Sequence, residues 1–132
     1  MAWLALEKGR EQVKAPDFER WVDAHLKTDE PTEYQYTGLD VYQARCAISH
    51  TYSAQYDRKN KRNPKTFSYC DGGLHRFNPD IHPNLVSISV PLLVDDFMGS
   101  IKNFFAAAFK DQELKERIDS RITKMFRIST RG

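Results

Sequence analysis

The sequence predicts a mainly α fold of the α+β class: a bundle of about five helices with a small β hairpin or three-stranded sheet between Thr66 and Val90. Three observations lead there. Apolar residues recur at helical spacing in the stretches 18–26, 41–52, 92–109 and 114–126. Between the second and third of these, residues 66–70 and 85–90 alternate apolar with polar around the turn signal Asp71-Gly72-Gly73. The 132 residues hold no internal repeat, low-complexity tract or long linker, so they read as a single domain, residues 1–132.

Taken in order, residues 2 to about 14 read as a short helix with Trp3, Leu4, Leu6 and Val13 on its apolar side. Pro16 suits a first helical turn, and Phe18, Trp21, Val22, His25 and Leu26 follow at i, i+3, i+4, i+7 and i+8. His25 lies on that stripe and reads as a packed histidine. Residues 28–37 form a polar loop whose Tyr34 and Tyr36 cover a core edge or, on the alternative reading, stack on a base. Asp40 reads as the N-cap of a helix running from Val41 to about Arg58, with Val41, Ala44, Ile48 and Tyr52 at helical spacing. Thr66–Cys70 and Leu74–Phe77 pair as a hairpin across the glycine turn, joined by residues 85–90. From Pro91 a wide apolar stripe through Leu92, Phe97, Ile101, Phe104, Phe105 and Phe109 marks the core helix. Residues 112 to about 126 form the last helix, burying Leu114, Ile118, Ile122 and Met125 or Phe126 and pairing Glu113 with Arg117 outside.

Composition narrows function. Hydrophobic residues make up 40% and charged residues 29%, an ordinary globular balance that excludes wholesale disorder. The formal net charge of +2 gives no global nucleic-acid signal, so a basic surface must come from local clustering. No stretch approaches the ~20 apolar residues of a membrane span, and the apolar N-terminus meets Glu7, Lys8 and Arg10 too soon for a signal peptide. The expectation is a cytoplasmic protein, away from membranes, with Cys46 and Cys70 reduced. Gly72-Gly73 is turn chemistry rather than a phosphate loop, there is no Gly-x-Ser-x-Gly, and no cofactor is expected.

The chemistry-bearing stretch is Arg45-Cys-Ala-Ile-Ser-His50-Thr-Tyr52, an Arg, a His and a Tyr set into the apolar pattern of residues 41–52. Arg45 and His50 stand five residues apart, roughly 140° around a helix axis, and Arg45 and Tyr52 lie nearly on one face. An arginine offers a fixed fork of donors to a phosphate, and a histidine titrating near neutrality can take and return a proton. Together they suffice for cleaving RNA without a metal: His50 at the 2′-hydroxyl or the leaving oxygen, Arg45 on the developing phosphate charge. Directly after this helix, Arg58, Lys59, Lys61, Arg62 and Lys65 fall within eight residues that contain no acid. Such a loop could track a nucleic-acid backbone towards His50, or simply complement a helix C-terminus.

This stretch resembles the Arg-x4–6-His motif of the HEPN superfamily, in its Arg-x4-His-x-Tyr form. The resemblance covers about fifteen residues. It implies a helical bundle, a metal-independent RNase of the toxin or phage-defence type, a homodimer whose two motifs build the site, and a protein antitoxin as a partner. Tyr52 would then be a helper or control residue beside Arg45 and His50.

Other constellations compete. Cys46 and His50 lie four apart on one helix face, and with Cys70 and His75 could make a tetrahedral zinc set, though the spacing matches no strong pattern and no metal is expected. His75, Asp80 and His82 form a second polar cluster that reads as a surface loop. Two other functions stand beside the RNase: a non-catalytic protein-binding module or adaptor using the tyrosine loop and hairpin, and a DNA-binding regulator using the basic loop.

Overall fold

The computed structural model describes residues 1–51 and 62–126, with all side chains among them except those of His50 and Thr51. Within these residues the elements run α1 (Ala2–Ala5), α2 (Ala15–His25), α3 (Gly38–Thr51), β1 (Thr66–Cys70), β2 (Leu85–Ser89), α4 (Val90–Lys110) and α5 (Gln112–Met125). The mainly helical class with a small sheet is therefore observed.

The N-terminal helix is much shorter than its apolar pattern suggests. α1 ends at Ala5, and the chain continues irregularly through Gly9, whose φ of +86° favours glycine. The cause is tertiary. The buried Arg121 of α5 donates to the carbonyl oxygens of Leu4, Leu6, Glu7 and Arg10 at 2.9, 2.6, 2.9 and 3.2 Å. Those acceptors serve a guanidinium instead of a helical ladder, and the long-range bonds override local propensity.

α2 begins where its proline allows, with Pro16 in the first turn and the Lys14 N–H bonded to Asp17 Oδ2 at 2.9 Å. α3 starts earlier than expected. Thr37 caps it, its Oγ1 accepting from the Asp40 N–H at 3.2 Å, so Asp40 belongs to the first turn and is not the cap. The Asp40 carboxylate turns inward, accepting from Tyr34 Oη at 2.9 Å and from the Lys65 N–H at 2.6 Å, which ties the start of α3 to the approach to β1. Gly38 lets α3 meet α2 closely: a Cβ there would sit 2.3 Å from the Glu19 carbonyl oxygen.

The sheet differs from a hairpin. β1 and β2 pair in parallel, Thr66 with Leu85 through Cys70 with Ser89. The segment after the glycine turn makes one antiparallel bridge, Arg76 with Ser87, so β2 rather than residues 74–77 lies beside β1. Burial explains the choice. Val86 and Ile88 are fully buried, as central strand residues are, whereas of residues 74–77 only His75 is buried, Phe77 is half-buried against the core, and Leu74 stays 39% exposed. Ser89 ends β2 and at once caps α4, accepting from the Leu92 N–H at 3.4 Å, with Pro91 in the first turn.

The core gathers around Phe104, which α4 presents to Trp21 and His25 of α2 at ring distances of 6.0 and 5.2 Å. His25 is the packed histidine expected, half-buried against Trp21 and Phe104. α5 returns along α4 after Asp111, whose carboxylate caps it through the Leu114 N–H at 3.1 Å. Met125 and Phe126, expected inside, are 61% and 72% exposed.

Candidate functional site

α3 carries the Arg–His motif, and the structure places part of it. Arg45 is exposed, its guanidinium carbon 5.7 Å from the centroid of the Phe18 ring on α2, and no carboxylate pairs with it among the described residues. His50 occupies the last turn of the helix. Tyr52, Arg58, Lys59 and Lys61 lie outside the described residues. Of the basic loop, Arg62 and Lys65 are described, and both turn towards their own chain. Arg62 forks onto the Glu19 carboxylate at 3.0 and 2.7 Å, a pairing that raises its pKa, and Lys65 Nζ lies 5.3 Å over the Phe77 ring. A phosphate would have to compete with Glu19 for Arg62.

The tyrosine loop is not a surface. Tyr34 and Tyr36 are 5% and 2% exposed, so neither offers a face to a base or to a partner. Each plugs a polar group into the core instead. The Tyr36 hydroxyl donates to Asp96 Oδ2 of α4 at 2.8 Å and also contacts His75 Nε2. His75 Nδ1 accepts from the Ser89 N–H at 3.1 Å, which assigns the ring proton to Nε2 and makes Tyr36 the acceptor from it. The chain therefore runs Ser89 N–H, His75, Tyr36, Asp96, with each polar atom used. Burial, partly opposed by Asp96, pushes the His75 pKa down, and burial foremost pushes both tyrosine hydroxyls up.

This knot also settles where His75 can act. Both ring nitrogens are engaged and the side chain is buried, whereas Asp80 and His82 are exposed on the following loop, so these three do not form one cluster. Cys70 Sγ points at the Gly72 and Ile88 carbonyls at 3.5 and 3.4 Å. Among the described residues no three His, Cys, Asp or Glu side chains gather as metal ligands would. The knot carried one sequence signal: Asp96 falls between Leu92 and Ser100 at i, i+4 spacing on the inward stripe of α4, an acid where an apolar residue belongs.

A second region escaped the sequence reading, because the wide stripe on α4 reads as all core. The structure splits it. Leu92, Ser100, Phe104 and Ala108 face inward, while Val94, Phe97, Met98 and Phe109 remain 53%, 43%, 50% and 74% exposed. Val94, Met98, Ile101, Phe105 and Phe109 follow at spacings of four, three, four and four, which makes one continuous apolar band along the helix. At its C-terminal end the band opens into an apolar groove of about 200 Å³ between α4 and α5, walled by Phe105, Phe109, Ile118 and Ile122. Lys102 and Lys110 flank the band, and Lys115 and Asp119 border the groove. No helix among the described residues is long and apolar enough to cross a membrane. Comparisons with protein-family models, with curated proteins and with solved structures found no match to this chain.

Proposed function

We propose that this protein is a protein-binding module that receives an amphipathic helix on the outer face of α4. The observation that carries this is the apolar band from Val94 to Phe109, exposed at Val94, Met98 and Phe109 and half-buried at Ile101 and Phe105, with its groove against α5. A run of large apolar side chains left in water on one helix is the usual mark of an interaction surface. The rim supplies the partner's sign: Lys102, Lys110 and Lys115 border the apolar strip against the acids Asp95 and Asp119, a basic excess that suits a helix with acidic flanks. Burying Phe109 alone would contribute roughly 1.5–3 kcal/mol.

The test is fluorescence anisotropy with a labelled, acid-flanked amphipathic peptide, alongside sedimentation of the protein itself. Saturable binding that weakens at least ~10-fold in Phe109→Asp, about 1.4 kcal/mol, supports the reading. Phe109 is so exposed that this variant should melt as the wild type does. A dimer that Phe109→Asp dissociates would give the face to a second copy and overturn the acidic-helix partner. Binding unchanged by the substitution would overturn the site.

The HEPN-like RNase is the second reading, and the exposed guanidinium of Arg45, paired with no carboxylate among the described residues and carried on the helix that holds His50, favours it. EDTA-resistant cleavage of RNA by the wild type, lost in both Arg45→Ala and His50→Ala, would place chemistry on α3. Absence of cleavage on varied RNAs would leave α3 as architecture.

A further inference from the structure

Between the irregular N-terminal segment and α5 lies an open cleft of about 610 Å³, a volume in the range of small-molecule sites. Its floor is arginine. Arg121 is buried at 8% exposure, and every bond described for its guanidinium goes to a neutral carbonyl, on Leu4, Leu6, Glu7 and Arg10. No carboxylate pairs with it among the described residues. One turn earlier on the same face stands Arg117, whose Nε is buried with no hydrogen-bond partner. The Glu113–Arg117 pair that the sequence suggests does not close.

Two guanidiniums one turn apart thus share a partly dry site, and neither forms an ion pair among the described residues, an arrangement that costs free energy unless an anion reaches them. Burial first, and Arg117 second, lower the pKa of Arg121. Lys8 borders the same cleft. Three acids border it too: Glu11 faces Lys124 at 3.7 Å, Glu116 accepts from Gln112 at 2.8 Å, and Glu113 stands at the rim without reaching Arg117.

We infer that this cleft binds a small molecule bearing a phosphate or carboxylate group. Its oxygens accept from the Arg117 guanidinium and from Lys8 Nζ, and its charge offsets Arg121. The site lies apart from both the α4 band and α3, and does not depend on either functional reading.

Inorganic pyrophosphate and citrate are the probes, titrated at low ionic strength by calorimetry, with Trp3 fluorescence as a second readout because that indole lines the cleft. One-site saturable binding of either probe is expected, and which one binds more tightly tells phosphate from carboxylate. Arg117→Gln should weaken it at least ~10-fold, and Lys8→Ala by a smaller factor. The apo stability of Arg117→Gln should match or exceed that of the wild type, because the substitution relieves repulsion on Arg121. Failure of both probes to saturate, or equal binding by Arg117→Gln, would overturn the site.

Discussion

The two halves of the N-terminal anchor treat buried charge in opposite ways. At Asp17 a carboxylate collects charged donors: Arg10 forks onto it at 2.8 and 2.6 Å, Arg20 reaches it at 2.6 Å, and the Lys14 N–H adds a bond at 2.9 Å. At Arg121 a guanidinium collects neutral carbonyls. Arg10 belongs to both, its side chain on Asp17 and its carbonyl on Arg121. The first centre is a compensated charge that organises a helix start. The second spends its donors on holding down a strand of chain with no helical ladder, and keeps its full positive charge. Both centres hold the segment in place, but the compensated one has no charge left for a ligand, whereas the uncompensated one keeps a charge that a ligand can offset.

The largest expected effect breaks the second centre. Arg121→Ala strands four carbonyl acceptors at once and should cost roughly 3–5 kcal/mol, read as a drop in the denaturation midpoint without a change in m. Arg121→Lys should recover only part of this, because one ammonium cannot span acceptors spread from Leu4 to Arg10. If lysine restored full stability, the charge rather than the fork would be the anchor.

A smaller loss is expected at the polar knot, where, unlike at Asp17, the buried carboxylate of Asp96 is met by a neutral hydroxyl instead of guanidiniums. His75→Phe fills similar space but orphans the Ser89 N–H and one contact of Tyr36, at a cost of about 2 kcal/mol. The pH dependence gives the sharper reading. The folded His75 pKa is lowered from its ordinary 6.5, so its contribution is fully present above that value and is lost as pH falls through the lower folded pKa. Protonation also removes the acceptor for the Ser89 N–H. Denaturant midpoints measured from pH 7.5 down to 4.5 should therefore fall less steeply in His75→Phe than in the wild type. Some slope should persist, because burial lowers the pKa of His25 as well.

How much of this was legible in the sequence follows from the range of the forces involved. α2, α4 and α5 were readable because each has strong periodicity and a local start signal: Pro16, Pro91 and Asp111. α1 was overextended because the residue that ends it, Arg121, lies more than a hundred positions away. The parallel pairing of β1 with β2 was hidden for a similar reason: the glycine turn is a local hairpin signal, and the outcome rests on which segment buries Val86 and Ile88. The Arg45–His50 spacing was legible as a pattern, whereas the capture of Arg62 by Glu19 was not, because solvation of a basic loop cannot be told from ion pairing without the fold. The outer α4 band was visible as apolar residues, but only packing reveals which of them lack neighbours.

The smallest effect tests whether Asp17 and Arg121 differ in kind. The Arg10 guanidinium foremost, then the Lys14 N–H and Arg20, hold the Asp17 carboxyl well below the usual carboxylate range. A depressed folded pKa contributes stability that is present above the unfolded value of 3.8 and is lost as pH falls through the folded one. Asp17→Asn should therefore be less stable than wild type at neutral pH, by less than either loss above, and the gap should close as pH is lowered from 4 towards 2. The deficit of Arg121→Ala should stay constant over the same window, since carbonyls do not titrate. A gap at Asp17 that persisted into acid would mean that the carboxylate serves as a neutral hydrogen-bond hub, and the contrast between the two centres would collapse. Arg10 adds a cross-check: released from Asp17, its guanidinium borders the cleft beside Arg117, so Asp17→Asn should tighten rather than weaken anion binding there.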